Sequence, residues 1–98
     1  MKIYYLVKLI PPRPTFAADM TTAEQSVMER HVAYWKDLAR KGTAIVFGPV
    51  FDPEGTWGLG IVQAESDDGI RAIVKDDPAV SSGLNRAETY PMLANFGN

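Results

Sequence analysis

One segment constrains the architecture more than any other: a long amphipathic stretch bounded at both ends by helix signals. Thr21-Thr22-Ala23-Glu24 has the form of a capping box, with the Thr21 hydroxyl accepting from the backbone and the Glu24 side chain reaching back. Gly42 stands where a helix exits through a left-handed residue, and Arg40 and Lys41 place positive charge over the last turn. A helix over Thr22–Lys41 groups Val27, Leu38, His31, Trp35, Met28, Ala39 and Val32 within an arc of about 140°. Glu29, Lys36, Asp37, Arg40 and Lys41 take the opposite side. A helix with one apolar stripe must lie on something, and His31, the only histidine of the chain, falls inside that stripe.

The flanking segments supply a sheet for it. Residues 2–10 alternate, with Ile3, Tyr5, Val7 and Leu9 on one face. The other face also carries Tyr4 and Leu6, so cover is expected on both sides. Pro11–Thr21 holds three prolines and reads as a loop, long for so small a protein. Thr43–Phe51 reads as a strand interrupted at Gly48-Pro49, where a proline that cannot donate to a ladder predicts a bulge or an edge. Asp52-Pro53-Glu54-Gly55 is turn chemistry, and Thr56–Glu65 is the second strand of a hairpin. Gly58 and Gly60 inside that strand predict a close approach by another part of the chain. Ser66 caps a short helix over Asp67–Lys75, with Asp67 and Asp68 in its first turn. Asp76-Asp77-Pro78 ends that helix, because the residue before proline is pushed out of the helical region. After Ser81-Ser82-Gly83, read as a plain turn, Leu84–Leu93 forms the last strand.

The order is β-α-β-β-α-β, the split arrangement of ferredoxin-like α+β folds: a four-stranded antiparallel sheet with two helices on one face. The 98 residues suffice for one domain, 1–98. Apolar groups on the uncovered face then require a partner, and a homodimer packed sheet to sheet is the simplest.

Charge and composition narrow the function. Ten Lys and Arg against twelve Asp and Glu leave a net charge of −2 and no basic stripe, which argues against a nucleic-acid partner. With no cysteine and one histidine, neither a thiol nucleophile nor a zinc centre is expected, and no cofactor is implied. The apolar start is broken by Lys8 and followed by prolines rather than a cleavage site, and no run reaches the ~18 apolar residues of a membrane span. A cytoplasmic location without membrane association is the expectation.

The chemistry-bearing residues admit two readings each. His31 is either a general base or a buried histidine satisfied by a carbonyl. An imidazole on an apolar face is poised for proton transfer when a carboxylate faces it. Asp37 lies about 120° around the helix from His31 and points away. Asp77, fixed by Pro78 beside the first helix, could orient the ring, or it could bond its own backbone as turn aspartates do. Gly48 and Pro49 either open backbone amides to a pocket or bend the sheet. Trp35, Phe47, Trp57 and Tyr34 either wall a flat ligand or belong to a core or interface. Arg13 and Arg86 could hold a carboxylate or stand solvated at the surface. Ser81, Ser82 and Thr89 complete no hydrolytic triad. The set suits proton abstraction and return on a small molecule.

Taken in order, His31 with Tyr34, Leu38, Gly42, Phe47-Gly48-Pro49, Asp76-Asp77-Pro78 and Gly83-Leu84 resembles the YCII-related family, over about residues 28–93. The resemblance implies a dimeric α+β barrel and an acid/base pair formed by the first-helix histidine and the aspartate of the Asp-Pro step. These fall on His31 and Asp77, with Asp76 one position off, and Tyr34, Trp35, Gly48 and Pro49 would line the pocket. The family includes a dehydrochlorinase of aromatic degradation. The expected activity is a cofactor-independent elimination, isomerisation or tautomerisation of a small, aromatic or lactone-like metabolite. The alternatives are a dimeric binding module that holds a ligand without turning it over, and an inert dimer with His31 packed in its core. The Pro11–Thr21 segment is longer than in the compact members.

Overall fold

The computed structural model describes residues 2–97. Its elements run β1 (Ile3–Ile10), α1 (Phe16–Asp19), α2 (Thr22–Arg40), β2 (Ala44–Val50), β3 (Trp57–Ala64), α3 (Asp67–Lys75), α4 (Pro78–Ser81) and β4 (Arg86–Met92). The four strands form one antiparallel sheet in the order β2-β3-β1-β4. This is the ferredoxin-like α+β arrangement, with two short helices added to the two long ones.

The strand alternation decides which face carries the helices. Register places Tyr5 opposite Val62, Val7 opposite Gly60 and Leu9 opposite Gly58. Tyr5, Val7, Leu9, Val62 and Ala64 are buried, and together with Trp35 and Leu38 of α2 and Ile70 of α3 they make the core. Burying a side chain the size of Ile70 contributes about 1.5–3 kcal/mol. The opposite face presents Leu6, Leu59, Ile61, Val46, Tyr90 and Met92, of which Val46, Tyr90 and Met92 are exposed.

The helix signals act as the sequence dictates. The Thr21 hydroxyl accepts from the Glu24 N–H at 3.1 Å and the Glu24 carboxylate from the Thr21 N–H at 2.9 Å. Gly42 follows the last turn with φ of +81°, a conformation costly for any residue with a Cβ. Ser66 caps α3 through the Gly69 N–H.

Two local expectations change, and of the two outcomes offered for Gly48-Pro49 it is the edge that holds. Pro11–Thr21 is not all loop: Phe16–Asp19 makes a helical turn that drops Phe16 into the interior. Asp77-Pro78 not only ends α3 but starts α4, with Asp77 as N-cap and proline at the first helical position, where its missing N–H costs nothing. The strand β2 runs through Gly48-Pro49 unbroken, Pro49 opposite Gly58, and its irregularity lies at Ala44–Val46. As an edge strand, β2 has one side without a ladder to serve, so a proline is tolerated without a bulge.

Candidate active site

The long helix positions the first two groups. His31 and Trp35 are four residues apart on α2 and so share a face, one turn above the other. Trp35 can pack close against the sheet because β3 has no side chain at residue 60: a Cβ on Gly60 would stand 2.4 Å from the indole ring. The close approach foreseen at this glycine is by Trp35.

The third group arrives from α4. Asp77, only 2% exposed, receives three donors. His31 Nδ1 lies 2.9 and 2.8 Å from its two carboxylate oxygens. The indole N–H of Trp35 donates to Oδ2 at 2.8 Å, and the backbone N–H of Ala79 donates to Oδ1 at 2.9 Å. Both sequence readings of Asp77 therefore hold at once: it caps its own backbone and it faces the histidine. An ionised carboxylate only accepts, so it selects the tautomer protonated on Nδ1. Nε2 is then the ring nitrogen available to the cavity that His31 lines.

That cavity, about 270 Å³, lies between the middle of α2 and the helix-bearing face of the sheet, with Phe16 and Met20 of the α1 region also on its wall. Its walls are predominantly apolar, and Trp35, Phe47 and Trp57 give it aromatic surface. Trp35 and Phe47 pack with ring centroids 5.9 Å apart. A dry apolar cavity of about 150 Å³ accommodates benzene, so this one has room for a single substituted ring. The polar side chains on its wall are His31, Thr56 and Asn85. Asn85 is buried, and its Oδ1 has no hydrogen-bond partner.

Of the residues singled out in the sequence, His31, Trp35, Gly48 and Pro49 line this cavity and Asp77 stands directly behind His31. Tyr34 does not line it. Its hydroxyl donates to the Ile73 carbonyl at 2.6 Å, tying α2 to α3. Burial, with the fields of Asp76, Asp77 and Asp37, pushes the Tyr34 phenol up to about 12, so it stays a neutral donor. Arg13 pairs with Asp19 and Glu24, and Arg86 with Glu88, so neither guanidinium faces the cavity. Asp37 pairs with Arg40 and Lys41.

Sequence reasoning missed three participants. The Trp35 N–H was legible as a second donor, since it lies one turn from His31. Phe16 sits in a four-residue helix and Asn85 in an irregular link, and neither offers a periodicity to reveal which way it faces. Among the described residues, no group of three His, Cys, Asp or Glu is placed to hold a metal ion, and no helix is long and apolar enough to cross a membrane.

Residues 4–92 match the YCII-related domain family. The chain belongs to that family. Among solved structures, this YCII-related protein is similar to the 5-chloro-2-hydroxyhydroquinone dehydrochlorinase of Burkholderia phenoliruptrix AC1100, in complex with 2,5-dihydroxybenzoquinone. The TM-score is 0.66 and the identity 22%, over 96% of this chain and 95% of that one. A slighter likeness, TM-score 0.49 at 14% identity over 98% and 95% of the two chains, is to SnoaB, a cofactor-independent oxygenase from Streptomyces nogalater. A comparison with curated proteins finds no match. The likeness to the dehydrochlorinase, spanning nearly the whole of both chains, bears out the fold of the YCII-related protein.

Proposed function

We propose that the protein is a small-molecule acid/base enzyme, with His31 as the proton-transferring group and Asp77 as the residue that orients it. The observation that carries this reading is the His31 Nδ1–Asp77 hydrogen bond at 2.8 Å, set at the wall of an apolar cavity large enough for one ring. In that arrangement Nε2 takes a proton from a bound substrate, and the electron pair left behind moves into a new double bond. Either an anionic leaving group departs or the imidazolium returns the proton at another atom. The buried carboxylate stabilises the imidazolium between the two steps, as the third member of a catalytic triad does. Aromatic cavity walls favour a planar substrate, and the dehydrochlorinase neighbour is an enzyme of this kind.

A second copy is proposed to cover the open sheet face, where Leu6, Leu59, Ile61, Val46, Tyr90 and Met92 converge. Such a contiguous apolar surface is what a homodimer interface buries.

The test is an NMR titration of the single imidazole in the wild type and in Asp77→Asn, alongside chloride release from 5-chloro-2-hydroxyhydroquinone. Asparagine still caps a helix, so the substitution removes the charge and spares α4. The expected result is an imidazole titration that the substitution alters, because it removes the charged group facing Nδ1. His31→Asn is expected to lower kcat by about 10²–10⁴-fold. An imidazole titration unaffected by the substitution would remove the pair. Saturable binding with no turnover would favour a ligand-holding module instead.

A further inference from the structure

The wall of the cavity is held unevenly. Strands β1 and β3 contribute Val7, Leu9 and Gly60, and His31 is backed by the buried Asp77. The part supplied by the α1 segment is different. Phe16, Ala17 and Met20 line the cavity, but among the described residues α1 shares an extended contact with no other helix or strand. Its proline end is seated, since a Cβ on Gly55 would stand 3.1 Å from Pro14. Its far end is held by Arg13, which donates to the Asp19 carboxylate at 2.8 Å and to the two Glu24 oxygens at 2.8 and 2.9 Å. The same guanidinium lies 5.3 Å from the centroid of the Phe16 ring. One more bond crosses to α2, from the exposed Gln25 carboxamide to the Met20 carbonyl at 3.3 Å. Met20, with Met28 and Val32 of α2, lines both the cavity and a surface groove of about 380 Å³. Cavity and solvent therefore meet across the seam between α1 and α2. What closes that seam is two unbranched, adaptable methionines, one valine and a few partly solvated polar bonds. Segments held in this way open locally at low cost, and such openings commonly govern ligand exchange.

We propose that α1 is the gate of the cavity, anchored at Pro14 and latched by the Arg13–Glu24 pair, and that ligands pass between Met20 and the Met28–Val32 side of α2. This rests on the reading of the cavity as a ligand site and adds the route into it and the bond that guards the route. Arg13 does not line the cavity, so it is a positioning residue: it sets the fraction of time for which the seam is open. A latch made equally in the free and the loaded protein changes entry and exit together and leaves affinity alone, because it has no preference between the two states.

The experiment follows exchange of fluorobenzene with the full chain by ¹⁹F NMR, in the wild type, Arg13→Gln and Arg86→Gln. Fluorobenzene is an uncharged single ring of the size the cavity accommodates. Arg13→Gln is expected to raise the association and dissociation rate constants by about three- to tenfold each, the worth of a charged pair bonded through two nitrogens, with Kd unmoved. Arg86→Gln, which breaks a pair with Glu88 away from the cavity, should keep the wild-type rates. In the wild type, dissociation should also quicken between ~0.01 and ~1 M salt, because screening loosens the latch, and in Arg13→Gln it should not. The wild-type salt response stands as a readout even if the variant does not fold. Dissociation that neither salt nor Arg13→Gln quickens, or a change confined to Kd, would overturn the gate and leave the cavity reading intact. Failure of fluorobenzene to bind the wild type would overturn the cavity reading, and the gate with it.

Discussion

Asp77 accepts from an imidazole, an indole and a backbone amide, and each bond fixes a different element against the others. Trp35→Phe keeps an aromatic ring against Gly60 but removes the N–H that reaches Asp77. Leaving that buried carboxylate oxygen a donor short is expected to cost about 1–3 kcal/mol in chemical denaturation. Gly60→Ala is the complementary case. Its methyl group meets the Trp35 ring at 2.4 Å, and neither a central strand nor a buried indole has room to give. A loss of about 1–3 kcal/mol is expected, together with a change in Trp35 fluorescence. Unchanged stability in Gly60→Ala would mean that the indole is not seated as described. His31 and Asp77 each have an element-level address in the sequence, one in an apolar stripe and the other before a proline, but it is the resemblance to the YCII-related family that pairs them. Asn85 has no such address. It follows a left-handed glycine and precedes a strand, and nothing in that pattern says which way a carboxamide turns.

The long elements were readable because their periodicities are strong and their ends are marked by Thr21, Glu24, Gly42 and Ser66. Short ones were not. Four residues complete barely one turn, so α1 and α4 offer no repeat to detect, although Asp77-Pro78 does carry the N-cap and first-position signal of α4. Besides the buried Phe16, ion pairs hold α1 in place: the Arg13 guanidinium donates to Asp19 and, through two nitrogens, to Glu24, the capping-box residue of α2. Arg13 and the capping bond hold the Glu24 carboxyl down at about 2, and Thr15 with Arg13 lowers that of Asp19. Groups whose folded values lie below their unfolded ones add stability above the unfolded value and lose it as pH falls through the folded one. This clip is therefore intact above about pH 4.5 and is lost between there and about pH 2. Glu24→Gln is expected to flatten the acid limb of a Tm-against-pH curve over that window and to leave the curve above pH 6 parallel to the wild type. An acid limb with the wild-type slope would show that Glu24 is not the group responsible.

At the scale of the molecule, two faces of one sheet have different tasks. The face with helices holds the cavity and the His31–Asp77 hydrogen bond, while the other leaves Val46, Tyr90 and Met92 exposed beside Leu59 and Ile61. Alternation in the strands announced an apolar second face, but alternation alone does not say what meets it. Analytical ultracentrifugation of the wild type is expected to give twice the 10.8 kDa chain mass, and Ile61→Glu, which plants a charge in the centre of that face, is expected to give the monomer. A wild type that sediments as a single chain at every concentration would remove the proposed interface. The helix layer has a consequence of its own. The Ala79 amide proton is held by the same carboxylate that holds the imidazole and the indole. That proton can exchange with solvent deuterium only when α4 lifts away, and such local openings have their own free energy. The exchange rate of one backbone amide thus reads out how often α4 parts from His31 and Trp35, with no substrate needed to observe it.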